Sequence, residues 1–126
     1  MSRRRVLIVD DEDDIREVAQ MSLELVGGWE ATTAGSGDEC VARAAGDAPD
    51  VILLDVMMPG LSGPETLARL RDGRDTVGIP VIFLTAKAQS SETRLLSELD
   101  VAGVIAKPFD PMTLHEDVSA ILGWSP

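Results

Sequence analysis

Three stretches of this chain are apolar at every position: Val6-Leu7-Ile8-Val9, Val51-Ile52-Leu53-Leu54 and Val81-Ile82-Phe83-Leu84. Each is short, rich in β-branched residues and bounded by turn-forming residues, which marks a strand. A strand with one wet face alternates apolar and polar side chains, and these do not alternate. Both faces are therefore expected to be covered, as in the middle of a parallel sheet. Residues 29–34, which are more polar, and the short run 101–106 predict two edge strands.

Between these runs the apolar period becomes helical. Ile15, Val18, Ala19, Leu23 and Val26 share one face of a first helix. Gly27-Gly28 ends it, because glycine accepts the left-handed backbone common after a helix. A second helix opens at Ser36, with Glu39 three residues on in a capping-box pattern, and turns Cys40, Val41, Ala44 and Ala45 inward. A third begins near Pro64, a favoured first helical residue, and carries Leu67 and Leu70. A fourth carries Leu95, Leu96 and Leu99, and a fifth begins at Pro111 with Leu114, Val118 and Ile121. His115 has polar neighbours and is expected to be exposed. Trp29 and Trp124 are expected to pack at the sheet edge and the last helix.

Strand and helix thus alternate five times. That is the repeat of an α/β fold with a parallel sheet and right-handed crossovers. With strands one, three and four central, and two and five at the edges, the order 2-1-3-4-5 follows. The expected architecture is a doubly wound, five-stranded, flavodoxin-like sheet. No linker, low-complexity tract or internal repeat interrupts it, so residues 1–126 read as one domain, long enough for a single core.

Composition alters this picture little: 44% hydrophobic and 26% charged residues are ordinary for a globular domain. Charge alters it more. A net charge of −11 repels phosphate backbones and anionic membranes, which argues against direct nucleic-acid binding. It points instead to a cation or a basic partner surface. No apolar run approaches the about 20 residues needed to cross a bilayer. The basic start Met1-Ser2-Arg3-Arg4-Arg5 is followed by only four apolar residues, too few for a signal-peptide core. The expectation is a cytoplasmic protein without membrane insertion. Cys40 is the only cysteine, so no intramolecular disulfide forms, and it reads as a small core residue.

In an open α/β sheet the site forms beyond the carboxyl ends of the strands. Those positions hold Asp10 and Asp11 after strand one, Asp55 at the end of strand three, Thr85 after strand four and Lys107 after strand five. The strand order reverses between one and three, so Asp10, Asp11 and Asp55 should converge. Two like charges about 4 Å apart cost roughly 4 kcal/mol at an effective dielectric near 20. One lysine leaves such a cluster negative, and a divalent cation resolves it. A small set of oxygen ligands favours Mg2+, which keeps several waters and completes its shell with a substrate phosphate. Lys107, as a point charge, and Thr85, as a hydroxyl donor, can then hold phosphoryl oxygens. Asp13 and Asp14, and largely Glu12, need no such role, since acids favour a helix N-terminus.

In order and spacing these residues resemble the receiver domain of two-component response regulators, over nearly the whole chain. The matching pieces are Val9-Asp10-Asp11, Asp55-Val56-Met57-Met58-Pro59-Gly60 with Gly63, Thr85-Ala86, and Lys107-Pro108-Phe109. Any one is weak, and together they are specific. The resemblance implies a phosphoacceptor signalling domain with at most self-phosphorylation and self-dephosphorylation activity. Asp55 would take its phosphoryl group from the phosphohistidine of a sensor histidine kinase or a histidine phosphotransfer protein. The modified domain would then switch binding to a downstream protein target. Asp11 and Asp55 would ligate Mg2+ directly, with the backbone carbonyl of Met57 as a third ligand and Asp10 acting mainly through a metal-bound water. Lys107 and Thr85 would contact the phosphoryl group.

The family pattern varies or breaks at a few positions. Met57 and Lys87, two residues beyond Asp55 and Thr85, stand where the family varies and where phosphate lifetime is influenced. Val104 stands where many members carry Tyr or Phe as a rotating switch. Activation is therefore expected to run through Thr85 and the following loop into the fourth helix, which opens with Ser90, Ser91 and Glu92. Because Ser125-Pro126 follows the fifth helix closely, the chain reads either as a stand-alone regulator acting by protein contact, which is the expectation, or as a piece of a larger protein.

Two rival classes fit less well. A magnesium-dependent phosphohydrolase of the haloacid-dehalogenase type needs Asp-x-Asp followed by Thr or Val. Asp10-Asp11-Glu12-Asp13 lacks that following residue, and the chain has no length for a cap domain. A nucleotide-binding module would show a glycine-rich loop after strand one, and none is there. A purely structural module would not need the acidic cluster.

Overall fold

Five parallel strands form one sheet in the order β2-β1-β3-β4-β5. They are β1 Arg5–Val9, β2 Glu30–Ala34, β3 Val51–Asp55, β4 Val81–Thr85 and β5 Gly103–Ala106. The helices are α1 Asp13–Met21, continued by a π-helical segment Ser22–Val26, then α2 Gly37–Asp47, α3 Gly63–Asp72 and α4 Leu114–Leu122. The computed structural model describes residues 3–86, 94, 96 and 98–124. Met1, Ser2, Lys87, Ser90, Ser91, Glu92, Leu95, Ser125 and Pro126 lie outside the described residues. Of the other residues expected in a fourth helix, Leu96 packs half-buried on the core and Leu99 is exposed.

The unbroken apolar runs are explained by two cores, one on each face of the sheet. Val6, Ile8, Leu53, Ile82 and Leu84 face Leu23, Leu114 and Val118. Leu7, Val9, Ile52, Leu54 and Phe83 face Cys40, Ala44, Leu67 and Leu70. Successive residues of a strand point to opposite faces, so a strand covered twice must be apolar throughout. Cys40 lies within the second core, and burial pushes its thiol up to about 12, out of the reactive range.

Helical faces were less legible. Ala19 and Leu23 are buried, but Val18 and Val26 are 43% and 38% exposed. The π-helical segment, with the Gly27 amide bonded to the Ser22 carbonyl at 3.3 Å, shifts the register of the face. Ser22 turns inward and Val26 outward. Gly28 then takes φ 73° and ends the segment. On α2 the inward stripe is Gly37, Cys40 and Ala44, with Val41 half-buried, and Ala45 is exposed.

The last helix starts at Leu114 rather than Pro111. The Asp110 carboxylate accepts the Met112 amide at 2.9 Å and the Asp110 carbonyl accepts the Thr113 amide at 3.1 Å, which holds residues 111–113 in a turn. His115 is half-buried rather than exposed. It stands edge-on to Trp29 at 6.5 Å, while Trp29 meets Trp124 at 5.5 Å and the Arg4 guanidinium lies 4.2 Å over Trp124. Its polar sequence neighbours hid this, because the ring it packs against, Trp29, lies far away along the chain.

Helix caps fix where α2 and α3 begin. The Ser36 hydroxyl accepts the Glu39 amide at 3.2 Å, but the Glu39 carboxylate reaches one residue beyond the expected box, to the Gly35 amide at 2.7 Å. At α3 a complete box forms between Ser62 and Glu65: the Ser62 hydroxyl accepts the Glu65 amide at 3.2 Å and the Glu65 carboxylate accepts the Ser62 amide at 3.0 Å. That Ser-x-x-Glu signal stands openly in the sequence beside Pro64. Ser62→Ala removes the cap and should lower stability by about 1 kcal/mol. Urea unfolding checks this: the midpoint falls while the slope stays constant.

Candidate functional site

Hydrogen bonds of the parallel ladder continue past the strand ends and bring their loops to one level. Asp10 donates its amide to Ala34 at 3.2 Å, Val56 to Leu84 at 3.1 Å and Lys107 to Thr85 at 2.8 Å. At this level Asp10, Asp11 and Asp55 each place a carboxylate oxygen within 4.8 Å of the others. Asp10 and Asp55 are buried, at 0% and 3% exposure, and Asp11 is open to solvent. Lys107 reaches in from β5, with Nζ 2.9 Å from Asp10 Oδ2 and 3.1 Å from Asp55 Oδ1. Thr85 is buried at the end of β4, beside Lys107. Met57 is exposed at the mouth, and its amide donates to the Asp55 carboxylate. The predicted residues are thus gathered at one end of the sheet, at the point where strand order reverses.

Further residues hold this arrangement. The Asp10 carboxylate accepts the Glu12 amide at 2.9 Å, and its carbonyl accepts Arg16 Nη1 at 2.7 Å. Gly63, the first residue of α3, donates its amide to the Val56 carbonyl at 2.9 Å. A Cβ there would fall 2.7 Å from the Asp55 carbonyl and 2.8 Å from Val56 Cα, so a side chain would displace the backbone that carries Asp55. The buried Ser22 hydroxyl donates to the Pro111 carbonyl, tying the end of α1 to the loop that follows Lys107. The contacts of Arg16 and Ser22 were not read from sequence. Arg16 three residues past Asp13 suggests only a helical ion pair, and nothing local announces a π turn.

Burial dominates the electrostatics. It pushes the Asp55 carboxyl up to about 6, with Asp10 adding to the rise and the Lys107 ammonium and Met57 amide opposing it. For Lys107, burial works against the charge, but bonds to Asp10 and Asp55 outweigh it and hold its pKa above the ordinary lysine value. Three carboxylates and one ammonium form a cluster short of positive charge. Its donors are all hard oxygens, a set suited to a hard divalent cation.

The profile of the response regulator receiver domain matches residues 6–119, and the chain belongs to that family. It is 37% identical over 119 residues to the alkaline phosphatase synthesis transcriptional regulatory protein PhoP of Bacillus subtilis, covering 94% of this chain and 48% of that one. It is 39% identical over 122 residues to the phosphate regulon transcriptional regulatory protein PhoB of Pseudomonas aeruginosa, covering 97% and 53%. The chain spans about half the length of the curated relatives it matches.

Among solved structures, chemotaxis protein CheY4 of Vibrio cholerae superposes with a TM-score of 0.87 at 30% identity, covering 95% of this chain and 99% of that one. A response regulator of Chloroflexus aurantiacus gives 0.86 at 32%, covering 97% and 99%. The chain is a two-component signalling domain and not a conventional enzyme. No helix among the described residues is long and apolar enough to cross a membrane.

The raised Asp55 pKa has a consequence of definite sign. A carboxyl that is harder to ionise folded than unfolded destabilises the fold as pH rises through the interval from about 4 to about 6. A shift of this size corresponds to about 2 to 3 kcal/mol at neutral pH. In the presence of a chelator at pH 7, Asp55→Asn should therefore melt higher than the unaltered protein. The difference should shrink as pH falls toward 4. Paired thermal melts across that range check both parts.

Proposed function

We propose that residues 1–126 form one receiver domain in which Asp55 accepts a phosphoryl group from a phosphohistidine. The observation that carries this reading is the convergence of Asp10, Asp11 and Asp55 around the Lys107 ammonium. An Asp55 carboxylate oxygen attacks phosphorus, the bond from phosphorus to the donor nitrogen breaks, and the imidazole leaves with the electron pair. The product is an acyl phosphate on Asp55. Lys107, already within hydrogen-bond reach of Asp55, neutralises phosphoryl charge, and Thr85 offers a hydroxyl to a second oxygen.

The resident cation in this reading is Mg2+. Asp11 and Asp55 would hold it directly, the Met57 carbonyl would be a third ligand, and Asp10 would act mainly through a water. The ion would supply positive charge to offset the negative charge on the phosphoryl oxygens. The domain carries at most self-phosphorylation and self-dephosphorylation activity. Its location is cytoplasmic, its output is a protein contact, and it makes no direct nucleic-acid contact of its own.

In-line transfer requires the donor to sit over the rim beside Asp55. That rim is formed by the start of α1 and the loop after Lys107. Val18, Met21 and Leu25, at 43%, 51% and 77% exposure, run down one side of α1 and its continuation at helical spacing. An apolar stripe of this kind suits the side of a partner helix, here the one bearing the donor histidine of a sensor kinase or phosphotransfer protein.

Two outcomes are expected. Acetyl phosphate with Mg2+ should add one phosphoryl group, seen by intact mass, and Asp55→Asn or a chelator should abolish it. Persistent labelling of the Asn variant would place the acceptor elsewhere. Leu25→Asp should slow transfer from a phosphorylated histidine donor at least several-fold while acetyl phosphate labels it at the unaltered rate. Equal slowing with both donors would remove the stripe from the docking surface.

A further inference from the structure

We infer that Arg16 is a positioning residue for the cation site, one that fixes the peptide joining Asp10 to Asp11 and so aims the Asp11 carboxylate into the cluster. The inference rests on the metal-dependent phosphoacceptor reading.

Beyond the bond of its amide to Ala34, Asp10 is held at three further points. Its Oδ1 accepts the Glu12 amide at 2.9 Å, its Oδ2 accepts Lys107 at 2.9 Å, and its backbone carbonyl accepts Arg16 Nη1 at 2.7 Å. Asp11 differs. Among the described residues it makes no hydrogen bond or ion pair of its own, and it is exposed. Its carboxylate nevertheless stands within 4.8 Å of those of Asp10 and Asp55. Only its backbone can set that direction, and the carbonyl gripped by Arg16 belongs to the peptide plane that leads into Asp11.

The residue type fits the task. A guanidinium presents several donors in one plane, and Arg16 uses two arms for two acceptors: Nη1 on the Asp10 carbonyl and Nη2 on the Asp13 carboxylate. A lysine at this position gathers its donors on a single nitrogen and cannot hold two separated acceptors from two arms of one plane. Arg16 also lies against the next loop, where a Cβ on Gly35 would come 3.3 Å from Nη1. The Gly35 amide is bonded to Glu39, so the guanidinium is wedged between two loops rather than free to swing. Its side chain is only 21% exposed.

Charge alone would predict the opposite of positioning. A fixed cation next to a cation site repels the incoming ion, so deleting it should tighten Mg2+ binding. If Arg16 instead holds the loop, deleting it weakens binding, as loss of an outer-shell partner generally does. The two roles therefore differ in sign.

The test titrates Mg2+ by calorimetry into the full chain, the Arg16→Lys variant and the Arg16→Gln variant. Dispersed amide signals from β3 and β4 verify that each is folded. Positioning requires both variants to bind Mg2+ more weakly, by about tenfold. In the metal-free proteins, the Glu12 amide should exchange faster in both variants, because its acceptor Asp10 is less firmly held. Unchanged affinity in Arg16→Lys with tighter binding in Arg16→Gln would reduce Arg16 to a charge and overturn the inference. Unchanged Glu12 exchange in both variants would overturn it as well. Failure of the unaltered chain to bind Mg2+ would instead remove the metal-dependent reading from which the inference starts.

Discussion

Two carboxylates are buried at the end of an apolar sheet with a single ammonium between them, and the rest of the molecule is arranged around that fact. Burying a carboxylate without a partner is costly enough that the group normally protonates instead. Asp55 is displaced part of the way, to about 6, and Lys107 limits the displacement. Lys107 can do so only because β5 ends on the same level as β3, two strands away across β4. The strand order is thus an electrostatic requirement as much as a packing result. The covered β strands supply the low dielectric that makes each of these contacts strong.

Such a cluster tolerates little slack, and the surrounding loops are fastened accordingly. Gly63 allows α3 to start in direct contact with the backbone of Asp55, and the Ser62–Glu65 box fixes that start. Ser22 ties α1 to the loop beyond Lys107, and Arg16 ties α1 back to Asp10. The loops after β1, β3 and β5 are thus fastened in part by residues outside the cluster.

The features that were legible in the sequence are those governed by burial. The runs from Val6, Val51 and Val81 could only be doubly covered strands, and that fixed the sheet order and the ends where Asp10, Asp55, Thr85 and Lys107 had to lie. Cys40 in a core helix and the packing of Trp29 and Trp124 near the sheet edge and the last helix followed from the same logic. What was not legible depends on register and long-range contact. A π turn inserts one residue into a helical pattern without any compositional mark, so Val26 was assigned to the wrong face. His115 was judged by its neighbours in sequence, whereas its environment is Trp29 and the backbone at Gly27, far away along the chain. The bond from Arg16 to the Asp10 carbonyl cannot be inferred from residue types.

The same repulsion that strains the cluster can also drive its response. A ligand shifts a conformational equilibrium only by what it binds differently in the two states. A cation and a phosphoryl group arriving at this cluster would find Asp10, Asp55 and Lys107 already paired with one another. Each new bond therefore replaces an old one, and the difference is what becomes available for switching. In the proposed reading Lys107 would share its ammonium between carboxylates and phosphoryl oxygens, and Thr85 sits one ladder bond from Lys107 on the neighbouring strand. A change at either is felt in β4 and β5 together. Val104, half-buried and paired with Phe83 in the middle of β5, has too few rotamers and too little volume to carry such a change by swinging between two positions.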